Sequence, residues 1–321
     1  MSRMPETEGR PPNAAEAVHL LSFDVEEYFQ AEAAAAGAPL DRWETFPRRL
    51  EPVLDRLLEM LAAHRTLATF FVLGWVALHE RPLVDRIVKA GHEVASHGVW
   101  HRMLGRLTPP EFAQDLRDSR RALEDIAGRP VIGYRAPTFS LTHRTAWALD
   151  VLAEEGFQYD SSVFPVHHDR YGVPDAPRCA HRATGPGGAG LLEIPPLTLR
   201  LARTNWPVGG GGYLRLLPIR VVAAALRSAA RRGEPGMLYL HPWEFDAGQP
   251  RLPMTRLSRF RHRVGLRRTA GKLEYLLARF RFACVRDRLD LLRASAVVRH
   301  SYGEPGGQDA GDSGRQPAPG P

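Results

Sequence analysis

The sequence predicts an α/β protein organised around a mostly parallel sheet. Short apolar runs alternate with longer stretches whose apolar residues recur at helical spacing, the pattern of strand–helix–strand units. The residues with chemical potential stand directly after the apolar runs: Asp24, His97, Arg135, Asp160 and His241. Such a sheet, closed into a barrel, carries its working residues at the carboxyl ends of its strands. At 321 residues and 35.8 kDa the chain is long enough for one large barrel with extensions.

Residues 18–23 read as the first strand, ending at charged residues. Residues 47–64 place Leu50, Val53, Leu54, Leu57, Leu58 and Leu61 on one helical face, and ATFFVL at 68–73 reads as the second strand. A helix over 82–90 stops at Gly91, and the strand 92–96 runs into a loop over 96–104. Thr108, Pro109, Pro110 and Glu111 supply an N-cap, first-turn prolines and an early acid, so a helix is expected to Ala127, ended by Gly128. A strand at 131–134, a helix at 142–155 closed by Gly156 and a strand at 157–160 follow. Residues 165–213, rich in Pro, Gly and Arg, read as an elaborated insertion with a strand at 191–194 and the tract GGGG at 209–212. That tract suits a groove lid or a plain connector. A helix over 218–232, a strand over 237–240, a basic helix over 269–280 and an amphipathic stretch to Val298 complete the pattern.

The domain expectation is a disordered leader at 1–16, a barrel over 17–246, a basic helical extension over 247–302 and a disordered tail at 303–321; leader and tail are too poor in apolar residues to offset the entropy of ordering. Apolar residues make up 44% and charged residues 25%, which excludes disorder throughout. Apolar runs fall far short of the ~18–20 residues of a membrane span. With no signal-peptide core near the N-terminus, a cytoplasmic protein is expected. Cys179 and Cys284, the two cysteines, form no CxxC pair and no disulfide framework.

The net charge is +7, and arginine carries it: Lys89 and Lys272 are the only lysines. Residues 256–300 hold 13 Arg/Lys against 3 Asp/Glu. Such a region suits an anionic lipid surface, an acidic polymer or simply a solvated helix face. Nucleic acid is not expected, because no recognition motif accompanies the charge.

Five segments carry candidate chemistry. In HGVWH at 97–101, two histidines four apart converge on one metal if the backbone turns, although the spacing alone is weak among 13 histidines. In SFDVEEYF at 22–29, Asp24 and Glu26 are two apart on extended backbone and face the same way. One could bind a metal while the other takes a proton; a solvated acidic loop is the bland alternative. In LHPWEFD at 240–246, His241 ends a strand. In GYRAP at 133–137, Arg135 can brace a carboxylate or form a surface ion pair. In YDSS at 159–162, Asp160 suits a site or a turn.

In this order, SFDVE, SHGVWH, GYRAP, YDSS and YLHPWEFD resemble the NodB-type polysaccharide deacetylases, carbohydrate esterase family 4, over residues 18–246. The resemblance implies a distorted (β/α) barrel with a C-terminal extension and metal-dependent hydrolysis of N-acetyl groups on sugars. FDVEEYF, NWPVGGGGYLRLLP and LYLHPWEFD further resemble the subgroup found at exopolysaccharide and exosortase (PEP-CTERM) loci, whose additional region corresponds to 165–298. Most of the family reads FDD, the first aspartate a base and the second a ligand. Here Val25 follows Asp24 and cannot bind metal. A branch with FDVD places its ligand two residues on, which maps onto Glu26.

The resemblance therefore implies Glu26, His97 and His101 as ligands of a divalent metal, Zn²⁺ first, with Co²⁺, Ni²⁺ or Fe²⁺ as alternatives. It implies Asp24 as base, Arg135 as its brace, His241 as acid and Asp160 as the residue that orients His241. Trp243 and Phe139 would wall a sugar face or an acetyl methyl, or simply pack. The reverse assignment of Asp24 and Glu26 stays open, and Glu27 is a third competitor. The implied substrate is an N-acetylated polysaccharide or oligosaccharide, within exopolysaccharide biosynthesis and in peripheral contact with membrane polymer-synthesis machinery. The alternatives are a hydrolase of small linear or cyclic amides such as allantoin, and a non-catalytic glycan-binding protein.

Overall fold

A computed structural model describes residues 17–168 and 171–303; the leader at 1–16 and the tail from 304 onward lie outside the described residues. Twelve strands are described: β1 (Val18–Val25), β2 (Thr69–Val72), β3 (Glu93–Ser96), β4 (Gly133–Tyr134), β5 (Tyr159–Asp160), β6 (His181–Thr184), β7 (Gly190–Glu193), β8 (Thr198–Leu201), β9 (Thr204–Pro207), β10 (Met237–Leu240), β11 (Arg281–Ala283) and β12 (Arg299–Ser301). The main sheet runs β10-β1-β2-β3-β4-β5-β7-β6-β12, with β11 also on β1, and β8 and β9 form a separate hairpin. From β10 to β7 every ladder is parallel. The backbone on either side of the hairpin then lies along β10: Leu197 N–H donates to the Met237 carbonyl and Tyr239 N–H to the Gly209 carbonyl, each at 2.9 Å. These contacts close the sheet into a distorted barrel.

The closure explains the glycine tract. A Cβ on Gly210 would overlap the Tyr239 carbonyl oxygen, so only glycine lets the chain press against β10 there. The tract is a barrel-closing connector, and Gly211 and Gly212 go on to line the central cavity.

Strand parity sorts the side chains. Leu20, Phe71, Ala95, Tyr159, Leu192 and Met237 fill the barrel interior as one cluster. Their strand neighbours Leu21, Phe70, Val94, Leu238 and Leu240 belong to the larger core, which includes the helices. The helix Pro109–Ala127 starts and stops where its sequence signals place it: Thr108 and Glu111 form a capping box, and Gly128 takes φ +62°. The 142–155 stretch is instead a 3₁₀ turn, His143–Thr145, followed by the helix Trp147–Glu154.

The 247–302 stretch, expected as helical, holds the helices Arg256–Arg263, Thr269–Leu277 and Leu289–Ser295, and also two strands. β11 pairs in parallel with β1, Val18 opposite Arg281, and β12 pairs with β6. No described helix is long and apolar enough to cross a membrane.

Candidate active site

Asp24 and Glu26, His97, Arg135 and His241 all meet at the carboxyl-end mouth of the barrel. Each lies in or just beyond an interior-facing register of its strand: β1 for Asp24 and Glu26, β3 for His97, β4 for Arg135, β10 for His241. The loop after β3 brings His101 back beside His97, their rings 5.3 Å apart. The turn is not helical: Gly98 has φ +71° and His101 φ +52°. A Cβ on Gly98 would crowd Asp115, whose carboxylate accepts the Val99 N–H and holds the loop down.

Arg135 is fully buried and spans the barrel. It donates to Asp24 Oδ1 at 2.6 Å, to Ser22 Oγ at 2.9 Å and to Ser161 Oγ at 2.8 Å, with its guanidinium 4.0 Å from the Phe71 ring centre. This fixes Asp24 and leaves Oδ2 facing His241 Nε2 at 3.8 Å.

Glu26 is gripped on both oxygens. Trp243 Nε1–H donates to Oε1 at 3.0 Å, and Oε2 stands 2.7 Å from His101 Nε2. Burial pushes its carboxyl up, but His101, with smaller help from His241 and His97, outweighs burial and holds it down at about 2. His97 Nδ1 faces the Arg135 carbonyl at 2.7 Å. A carbonyl only accepts, so Nδ1 carries the proton and Nε2 presents its lone pair. Burial lowers His97 to about 4, keeping it neutral.

His241 is the most accessible of the set, 18% exposed at its side chain. Its Nδ1 meets Glu244 Oε1 at 3.3 Å. Burial disfavours its charge, but Glu244 and the carboxylates of Glu26 and Asp24 prevail and raise it to about 9. Glu244 is itself backed by Arg215, whose Nε lies 3.4 Å away, while the Arg215 guanidinium also donates to the carbonyls of Arg261, His262 and Val264. The region after the barrel thus braces the His241–Glu244 pair from behind.

Three expectations change here. Asp160 does not reach His241. It lies on β5 next to the interior-facing Tyr159, so parity turns it outward, where it accepts from Ser162 and lies opposite Glu193. The carboxylate that meets His241 is Glu244 instead, three residues further on, on the 3₁₀ turn Pro242–Phe245. Glu27 is not at the metal cluster: its Oε1 accepts the N–H groups of Arg49 and Leu50 and caps the helix Leu50–Ala63. Trp243 lines the cavity but is more than a wall, because it hydrogen-bonds Glu26. Phe139 lines the same cavity edge-on to Tyr239, at φ +51°.

Glu26, His97 and His101 each offer one ligand atom, all within 4.8 Å of one another. Glu26 Oε2 is buried and faces His101 Nε2. One carboxylate oxygen and two imidazole nitrogens are the donor set of a catalytic Zn²⁺-type site with positions left open. Asp24, tied to Arg135, stands outside this cluster. The cavity above holds about 410 Å³, enough for a sugar unit, with Tyr171, Tyr213 and Tyr239 among its walls.

Residues 43–159 match a family model described as polysaccharide deacetylase, and residues 161–290 one described as a domain of unknown function, DUF3473. The first match contains His97, His101 and Arg135; Asp24 and Glu26 precede it, and His241 lies in the second. A chitooligosaccharide deacetylase of Bradyrhizobium sp. (strain ANU 289) is 32% identical over 146 residues, 44% of this chain and 64% of that protein. A peptidoglycan deacetylase of Helicobacter pylori is 30% identical over 116 residues, 36% of this chain and 38% of that protein. The chain thus matches less than two thirds of the length of either relative. A solved structure from Mycobacterium smegmatis, assigned to the polysaccharide deacetylases, superposes with a TM-score of 0.60 at 20% identity, over 93% of this chain and 99% of that one. At that identity the likeness establishes the fold.

Proposed function

We propose that this chain, which carries a NodB-type polysaccharide deacetylase domain, removes N-acetyl groups from a bacterial exopolysaccharide by metal-assisted hydrolysis. The observation that carries the reading is the convergence of a braced carboxylate, a three-donor cluster and an oriented imidazole at one barrel mouth. Glu26, His97 and His101 would hold the divalent ion, Zn²⁺ by donor type. Such an ion, when bound, supplies polarisation of the acetamide carbonyl and acidification of water.

The chain's own residues do the rest. Asp24 Oδ2 takes a proton from the attacking water, while Arg135 occupies Oδ1 and fixes the direction of the other oxygen. The water oxygen adds to the carbonyl carbon, the C–N bond breaks, and acetate leaves. His241, on the side of the cavity facing Asp24, gives its proton to the departing amine nitrogen. Glu244 holds the imidazole for that transfer. The aromatic walls suit the apolar face of a sugar ring. The Arg-rich stretch 256–300 supports a peripheral position beside membrane polymer-synthesis machinery.

Acetate release from N-acetylglucosamine oligomers tests the reaction, after chelation and again after adding Zn²⁺. Release that chelation stops and zinc restores is the expected result. A metal-loaded protein that releases no acetate from oligomers or from exopolysaccharide, but turns over small amides, would overturn the substrate class.

A further inference from the structure

We propose that His143, Asp175 and His300 form a second metal site, for a divalent ion of the Zn²⁺ class, that pins the edge strand β12 to the body of the protein. None of the three lines the active-site cavity. They come from three separate segments: the 3₁₀ turn His143–Thr145, the loop before β6, and β12 itself. His143 Nε2 lies 3.0 Å and 3.2 Å from the two Asp175 oxygens, and His300 Nε2 lies 3.7 Å from Oδ2. One donor atom from each falls within 4.8 Å of the others. Zinc bonds of ~2.0–2.2 Å at tetrahedral angles imply ligand-to-ligand separations of ~3.3–3.6 Å, which these distances straddle.

The decisive atom is His300 Nε2. It is buried and, among the described residues, has no hydrogen-bond partner, although it points at Asp175. An imidazole nitrogen hidden from water without a partner is costly, and a metal bond to its lone pair removes the cost. The ring is held for the purpose: it packs against Tyr302 at 4.6 Å, and the Tyr302 hydroxyl meets His181 Nε2 at 2.6 Å. On His143, loading moves the ring proton from Nε2 to Nδ1. That gives up a long contact from Gly303 N–H, at 3.4 Å, in exchange for a metal bond. Asp175 is 60% exposed, so water completes the coordination.

β12 is three residues long and, among the described residues, pairs only with β6. An ion shared by residues 143, 175 and 300 would lock this strand in place by binding the folded arrangement alone.

Zinc bound per chain is counted by dialysis and elemental analysis of the full chain. Two backgrounds are compared, the natural sequence and His97→Ala/His101→Ala, each with and without His300→Ala. The expected result is one Zn²⁺ fewer per chain with His300→Ala in both backgrounds. In the His97→Ala/His101→Ala background zinc also raises the Tm, and His300→Ala abolishes the rise. His143→Asn, which changes no residue of β12, repeats both losses and covers a strand unsettled by the first substitution. Equal zinc counts with and without each substitution would overturn the site. Because the second background lacks two ligands of the barrel mouth, failure of the deacetylase reading does not change this outcome.

Discussion

Two pairs of buried acids stand at the same end of the barrel, one at the tip of β1 and one on β5 and β7, and meet opposite fates. Asp24 and Glu26 turn inward, where Arg135 and His101 reach them. Asp160 and Glu193 lie side by side on β5 and β7 and turn outward. Among the described residues neither of that second pair makes a salt bridge. Burial pushes both up, Glu193 most, and the adjacent Asp160 pushes Glu193 further. The inner pair faces Arg135 and His101 across the cavity; the outer pair lies buried between two strands, where burial favours the protonated form. What separates them is one step of strand parity and the cations it brings within reach.

The sharpest break of this contrast is Asp24→Asn. It is expected to lower kcat about 10²–10⁴-fold while bound metal stays constant, as read by acetate release and elemental analysis. Retained turnover would move the base to another residue. Arg135→Met leaves Asp24 buried without its partner, and urea unfolding is expected to report a loss of about 3–5 kcal/mol. Next comes Glu244→Gln, which weakens the hold on His241: kcat is expected to fall about tenfold or more with Tm little changed, and an unaltered kcat would remove Glu244 from the site.

The outer pair gives the subtler tests. Asp160→Asn is expected to leave kcat/KM unchanged, and a large loss would restore Asp160 to the catalytic group. Glu193 has an ordinary value of 4.5 and a much higher one in the folded chain. Above that ordinary value the unfolded chain releases a proton that the folded chain keeps. The stabilising contribution is thus full below pH 4.5 and is lost as pH rises toward the folded value. Relative to Glu193→Gln, the natural protein should lose stability by at most about 1.4 kcal/mol per pH unit from this group. Urea titrations across that range decide it; parallel stability curves would mean that Glu193 is ionised in place.

Most of the barrel was legible because its strands are continuous apolar runs separated by well-capped helices. Thr108 and Gly128 marked the ends of one helix to the residue. The strand ends also disclosed Asp24, His97, Arg135 and His241, since interior parity and position agree there. Asp160 misled because its run is only two residues long as a strand, too short to reveal which face it takes. Glu244 and Arg215 were unreadable for a different reason: their partnership joins a turn after β10 to a helix following the glycine tract. β11 and β12 carry charged residues in three-residue edge strands, so neither alternation nor apolarity announced them.

The pairing of β1 with distant strands has a consequence for synthesis. β2 reaches β1 early, but β10 and β11 come from residues 237 and 281 onward. As the chain leaves the ribosome, the strand bearing Asp24 keeps an open hydrogen-bonding edge until almost all of the barrel sequence has emerged. Contacts of such long sequence separation form slowly. The barrel mouth is then assembled last, and a prematurely terminated chain keeps an exposed strand edge open to other chains.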